Sequence, residues 1–346
     1  MRIAVVGGGH GAVAAAADLA RRGHQVRLRL RNRERFTEIF RTGEVTIMGA
    51  AGEGTGALAE VTADVATAVR DAELVLVPMP ATTQEDVGER LAGHLAEGAV
   101  VALLPGTFGA YVLGRRLGVP VAETATLPYG ARFRGGKVVA TALVAHHLPA
   151  GVYPARDTAA TLEILAAAYP AVEPVEDALS AALLNSNGAL HAPLVLMNAG
   201  PIERFGEYDI HVEGTTEGIR AVISALDEER MALRRALGYT SADWPLMDYY
   251  RDRDWFYGAF AHSSVRRRSV WREGLSFDHR YLTEDVGVGL VLWSSLGGAL
   301  GVPTPHADAF ILLASTVLGR DVRATGRTLE SLGLGGLDAA ALRAAL

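Results

Sequence analysis

The sequence predicts an α/β domain followed by an all-α domain: a doubly wound parallel sheet over residues 1–178, then a helical region over 179–346. Three observations carry this. Short β-branched runs alternate with alanine-rich helical stretches through the first half, the pattern of right-handed parallel crossovers. A triple-glycine turn follows the first of those runs directly. Near 170–178 (PAVEPVEDA) prolines and acids break the alternation, and long segments of helical period follow.

In order, RIAVV (2–6), HQVRLRL (24–30), ELVLVPM (73–79), GAVVALLP (98–105) and VPVAETAT (119–126) read as strands. Helices are expected over 11–22, 32–41, 82–96 and 108–117, and the Gly-rich stretch 43–62 suits a small inserted hairpin. Beyond 178 the helical segments are 178–200, 216–238, 284–301 and 305–319. Thr304 before Pro305 fits a capped helix start with proline in the first turn.

Composition narrows the function. At 346 residues, two domains of about 100–200 residues are expected. With 33 basic against 39 acidic residues the net charge is −6, so nucleic acid is not an expected partner. Zero cysteines remove disulfides, thiolate metal sites and thiol nucleophiles. The start MRIAVVGGGHGAVAAAADLA has the outline of a signal peptide, but Gly7, Gly8, Gly9 and His10 interrupt its apolar run. No run reaches the ~18 apolar residues of a membrane span, so a soluble cytoplasmic protein is expected.

The chemistry starts at Gly7-x-Gly9-x-x-Ala12, after a strand and at the mouth of a helix. A first glycine permits the tight turn, a second lets the backbone approach a pyrophosphate, and a small third residue lets helix and strand pack closely. The helix N-terminus adds amide donors and partial positive charge. This is a Rossmann-type dinucleotide site, with Gly7, Gly9, His10, Gly11 and Ala12 as candidate binding residues. The second strand ends in LRLRNRER, with Arg29, Arg31, Asn32, Arg33 and Arg35 and no acid before Glu34. A carboxylate there would select a ribose 2′-hydroxyl; arginines suit a 2′-phosphate, so NADP(H) is favoured over NAD(H) and Arg31, Asn32 and Arg33 join the candidates. A solvated basic edge is the plain alternative.

In the helical region Asn187, His191 and Asn198 stand at offsets of four and seven, on one face of an expected helix that Pro193 would kink. A lone helical histidine is more often structural. In HRYLTEDVG (279–287), Arg280, Glu284 and Asp285 lie at a helix start with Thr283 as cap, where Asp285 could simply complement the dipole. The run Arg266, Arg267, Arg268 and Arg272 reads as solvated surface or as help for an anionic ligand. No histidine spacing indicates a metal; His146–His147 is a bare pair.

At this point the chain resembles the octopine/nopaline (opine) dehydrogenase family over most of its length. The pieces, in order, are VVGGGHGA, PGTFGA (105–110), ETATLPYGAR (123–132), NSNGALHAPLVLMNAGPIE (185–203), YDIHVEG (208–214), LDEERMALRRALG (226–238), RYLTEDV (280–286) and GVPTP (301–305). The resemblance implies a Rossmann domain joined to a helical catalytic domain with the active site in a cleft. It implies NAD(P)H-dependent condensation of an amino acid's amine with a 2-oxo acid to an N-(carboxyalkyl) amino acid. His191 is then the general acid/base, Asp285 its orienting carboxylate and Arg280 the clamp for a substrate carboxylate. Asn187, Asn198, Arg132 and Tyr208 are substrate-contact candidates. Small molecules are the expected partners, with a homodimer through the helical region allowed. Gly287, where the family often has proline, and the arginines of 266–272 depart from the pattern and leave the substrate open. Rival readings are a 2-hydroxyacid/ketopantoate-type or imine reductase on the same plan, and a non-catalytic NADP(H) sensor. The sole lysine, Lys137, speaks against a lysine-dependent mechanism.

Overall fold

The computed structural model describes residues 1–134 and 138–346; Lys137 lies outside the described residues. The chain forms two units, residues 1–182 with 256–258 and residues 183–255 with 259–346. The division falls inside the helix Ala178–Leu184, a few residues past the expected boundary.

The first unit is built on an eight-stranded sheet. Its strands are β1 (Arg2–Val6), β2 (Gln25–Arg29), β5 (Glu60–Thr62), β6 (Leu74–Val77), β7 (Val100–Leu103), β8 (Val121–Thr124), β11 (Leu148–Tyr153) and β12 (Val172–Pro174). The spatial order is β12-β11-β8-β7-β6-β1-β2-β5, parallel except where β11 meets β8. The chain winds one way from β1 through β2 and the other from β6 through β8, so the order reverses beside the carboxyl end of β1. Open α/β sheets bind ligands at such a switch point.

A second sheet of four strands, β3 (Glu44–Gly49), β4 (Gly54–Ala57), β9 (Tyr129–Arg134) and β10 (Val138–Val144), runs in the order β4-β3-β10-β9. The β3–β4 pair is the hairpin expected in 43–62. The other two strands of that sheet, and β5, β11 and β12 of the large one, were not foreseen, although β9 alternates buried Tyr129, Ala131 and Phe133 with less buried neighbours. The helix His10–Arg21 packs against strands of both sheets, and its residues Gly11–Leu19 are buried all round. That explains the run AVAAAADLA: only small side chains fit between two sheets. Gly56 of β4 comes so close that a Cβ there would strike the Ala17 carbonyl.

Several expected helices are shorter than their patterns. Residues 32–41 give only Thr37–Thr42, because the Asn32 side chain accepts the Arg35 amide and folds the chain into a turn first (2.9 Å). Residues 82–96 give the helix Gln84–Leu91 after a short 3₁₀ turn.

In the second unit the expected helix 178–200 is three helices: Ala178–Leu184, Asn187–Leu196 and Ala199–Arg204. Asn187 opens the second of these, and Asn198 sits at the cap of the third, so the single shared face is not formed. The middle helix continues through Pro193 and ends three residues beyond it. The helix Pro305–Leu318 begins as expected, but Thr304 makes no side-chain capping bond. The carboxylate of Glu229 takes that role instead, receiving the amides of His306 (2.7 Å) and Ala307 (3.0 Å). Likewise Thr283 is no cap: it ends the short helix Arg280–Thr283, which His279 caps by accepting the Tyr281 amide. Among the described residues no helix is long and apolar enough to cross a membrane.

The long helix Glu217–Ala236 anchors this unit through buried charge. Arg230 is fully enclosed; its Nε meets Asp227 at 2.7 Å, and its other nitrogens donate to the carbonyls of Leu183, Asp243 and Trp244. Asp227 in turn accepts the Leu246 amide at 2.7 Å. Each guanidinium nitrogen reaches an acceptor, which keeps a buried ion pair tolerable; removing one partner strands the other. Urea unfolding of Arg230→Ala should show a loss of about 3–5 kcal/mol. Replacing both Asp227 and Arg230 by apolar residues should cost less than the sum of the single losses.

Candidate active site

The dinucleotide turn sits at the end of β1. Gly7 has φ +151°, a conformation that side chains rarely adopt. A Cβ on Gly7 would press on Met79 (3.1 Å) and on the Cβ of Ala12 (3.3 Å), so the small residue at 12 is needed for the strand–helix approach. At Gly9, the residue before the helix, an added Cβ would meet nothing within 4 Å, so the outer side of the turn is open. No side chain caps the helix start. An open glycine turn leading to an uncapped N-terminus fits a pyrophosphate. Gly11 is closed off by Leu127, whose methyl would lie 2.6 Å from a Cβ there. The His10 ring faces inward: Nδ1 accepts the Phe133 amide at 2.7 Å, which ties β9 to the mouth of the turn.

Beyond β2 the arginines divide by role. Arg29 is buried, donates to the Ala63 carbonyl at 3.1 Å, and is pushed below its usual pKa by burial; it is part of the fold. Arg31, Asn32 and Arg33 are exposed. Arg33 lies over the ring of Phe40 at 4.6 Å and Arg35 over Phe36 at 5.1 Å, which limits how these long side chains sample space.

The loop 105–110, whose sequence is PGTFGA, is held from beneath. The buried carboxylate of Glu123 in β8 accepts the amides of Phe108 (2.8 Å) and Ala110 (2.7 Å), and Gln84 donates to the Gly106 carbonyl (2.7 Å). Thr107 and Phe108 stand at positive φ, 52° and 67°. Strain of this kind persists only where surroundings over-determine the backbone, as Glu123 and Gln84 do here. Neither residue stood out in the sequence, since their partners are main-chain groups 13–22 positions away.

In the second unit the structure brings His191 and Asp285 together, Nδ1 to Oδ2 at 2.7 Å, both buried. Burial pushes the Asp285 carboxyl up to about 7, while the charges of Arg280 and His279 pull it down. The approach depends on local backbone. Asp285–Leu290 is a turn of π-helix between Arg280–Thr283 and Val291–Leu300. The helix carrying His191 crosses this turn at Gly188, where a Cβ would lie 2.9 Å from Leu290 and 3.2 Å from the Asp285 carbonyl. A wide turn and a bare glycine bring the carboxylate within reach of the imidazole.

Arg280 ion-pairs with the buried Glu284 at 3.4 Å, and 39% of its side-chain surface stays exposed. Aromatic rings complete the cluster. Tyr281 stacks on His191 with centroids 3.7 Å apart, and His211 meets His191 edge-on at 6.0 Å, with Trp271 next at 5.7 Å. Sequence reasoning missed Tyr281, His211 and Trp271, although Tyr281 lies inside a quoted motif.

The remaining candidates are placed as follows. Asn198 is buried, its amide donating to the carbonyls of Leu194 and Gly214 and its oxygen accepting from the Tyr208 hydroxyl at 3.1 Å. These two candidates therefore brace one another. Asn187 lies at a helix start with its amide on the Asn185 side chain, and Arg132 lies in β9. Arg272 pairs with Glu213 at 2.7 Å, and Arg266, Arg267 and Arg268 are exposed. Among the described residues no group of three or more His, Asp or Glu could hold a metal ion.

Comparison with known proteins follows this division of the chain. Residues 174–318 match the family model "NAD/NADP octopine/nopaline dehydrogenase, alpha-helical domain", and residues 2–106 match "NADP oxidoreductase coenzyme F420-dependent". An opine dehydrogenase of Arthrobacter sp. (strain 1C) is 31% identical, covering 99% of this chain and 98% of the relative. The protein ocs of Agrobacterium vitis is 28% identical over 100% of this chain and 99% of its own. In fold, a solved octopine dehydrogenase superposes with a TM-score of 0.74 at 20% identity, covering 99% of this chain and 98% of that one. A full-length relative above 30% identity and a helical unit matching the same family leave one conclusion: the chain belongs to the octopine/nopaline dehydrogenase family and is an NAD(P)-dependent opine dehydrogenase.

Proposed function

We propose that this enzyme joins an amino acid to a short 2-oxo acid with NADPH as the preferred reductant, using His191 as general acid/base, Asp285 as its orienting partner and Arg280 as the clamp for a substrate carboxylate. The observation that carries this is the buried 2.7 Å bond between His191 Nδ1 and Asp285, with the charge of Arg280 acting on that carboxylate. When bound, the dinucleotide supplies the hydride for an enzyme of this family. The chain's own residues manage protons and orientation.

Asp285 accepts from Nδ1, so Nε2 is the atom left to exchange a proton with substrate. In the condensing direction Nε2 donates to the oxygen that leaves as water; in reverse it takes a proton back. Arg280 offers a planar fork to a carboxylate, which fixes the oxo acid's plane against the imidazole. Solved octopine dehydrogenases with L-arginine and with pyruvate show that a relative takes such a pair. Asn187 and Arg132 stay candidates for substrate contact.

Arg31, Asn32 and Arg33, exposed after β2 with no preceding acid, favour a 2′-phosphate over a bare ribose. The double variant Arg31→Ala/Arg33→Ala should raise KM for NADPH about tenfold or more while KM for NADH moves little. An unchanged NADPH preference would remove the arginine assignment.

Replacing His191 by Ala should lower kcat about 100-fold or more, measured as NADPH oxidation over a matrix of amino acids and 2-oxo acids. Near-native turnover would reject the acid–base role, and turnover with the oxo acid alone would favour a hydroxyacid reductase.

The pH dependence has a definite sign. Burial pushes the Asp285 carboxyl up to about 7, so the His191–Asp285 pair keeps its extra proton up to that pH, and the unprotonated pair needed to oxidise an opine prevails only above it. Oxidative kcat/KM should therefore fall as pH drops through about 7. In Asp285→Asn, the loss of the anion makes the imidazolium harder to form, so the limb should move to lower pH as the rate falls. A limb that stays in place would show that the pair does not govern it.

A further inference from the structure

His191 is held on more than one side. Asp285 meets it at Nδ1, and the ring of Tyr281 lies against its face with centroids 3.7 Å apart and planes 22° from parallel. Two neutral aromatic rings prefer an offset or edge-on contact with centroids about 4.5–7 Å apart. A closer, near-parallel overlap suits a cation on the electron-rich face of a phenol. Tyr281 is itself fixed: it is buried, the His279 ring meets it edge-on at 4.2 Å, and the Arg280 guanidinium lies 5.9 Å from its centroid.

We propose that Tyr281 is a positioning residue that stabilises the protonated form of His191 through this face contact and holds the imidazole plane on the Asp285 carboxylate. The physical claim stands without the catalytic one; only its consequence for turnover rests on His191 being the acid–base group. The other groups around the imidazole are accounted for. Asp285 favours the imidazolium and Arg280 opposes it, with Glu284 offsetting Arg280. His211 presents an edge at 6.0 Å, and His279 lies against Tyr281. On the neighbouring helices, Asp227 pairs with Arg230, His306 with Glu229, and Asp308 with Arg323.

The test is an NMR titration of the histidine ring protons in the full-length protein without substrate, the His191 signal being identified by its loss in His191→Gln. Tyr281→Leu should lower the His191 midpoint by about half a pH unit or more, and Tyr281→Phe should hold it near the native value. A native midpoint in a folded Tyr281→Leu variant would overturn the proposal. Should that variant not fold, fluorinated phenylalanines at position 281 keep the shape and weaken the face potential. The midpoint should then fall with each added fluorine, and a flat series overturns the idea equally. Kinetics on the same variants separate the two claims. For Tyr281→Leu a lower kcat at nearly unchanged oxo-acid KM, with the acid limb shifted as in the titration, supports both. A shifted titration with an unmoved pH–rate profile supports the contact and rejects His191 as acid–base group.

Discussion

A carboxylate shut away from water keeps its charge only beside a cation or strong donors; otherwise it takes a proton. Asp285 lives under that constraint, and much of the helical unit answers to it. The imidazole of His191 meets one oxygen, Arg280 contributes field without a direct bond, and Tyr281 closes a face of the imidazole. Each side chain comes from a short or irregular element, and each would be expensive to place alone. Together these surroundings leave the Asp285 carboxyl at about 7, the range that the proposed proton transfer requires.

The dinucleotide unit meets a different demand, which is steric. Its helix His10–Arg21 has a sheet on either side, so residues 12–19 are small or tightly enclosed and the turn before it is glycine. Rigidity here comes from enclosure: Ala12 against Gly7, Gly56 against Ala17, and His10 pinned to Phe133. The loop 105–110 is fixed by the opposite means, a buried carboxylate receiving main-chain amides.

How much of this was legible follows from what sequence patterns encode. The first five strands read from the sequence, the glycine turn and the change to helices were legible because strand and helix periods are local. His191, Arg280 and Asp285 were found through motif resemblance; their spacing alone left a structural reading open. Asn198 looked like a ligand on a helical face, yet the chain breaks before it and its amide is consumed by Leu194 and Gly214. Thr304 looked like a cap, but Glu229, 77 residues earlier than His306, does that work. Tyr281, Glu123 and Gly188 were invisible because their roles are contacts between segments distant in sequence.

The π turn at 285–290 has a further consequence. A π turn holds about one residue more than an α turn, and each helical residue advances the chain by about 100°. The segment thus acts as a phase adjuster between the short helix bearing Arg280 and Tyr281 and the buried helix Val291–Leu300. Its length matters as well as its composition. Dropping one residue would restore a regular helix and rotate one side of the turn against the other, either swinging Asp285 away from His191 or turning Leu292, Trp293 and Leu296 out of the core. Adding or removing a residue in this stretch would therefore disturb the His191–Asp285 contact even with every remaining side chain kept.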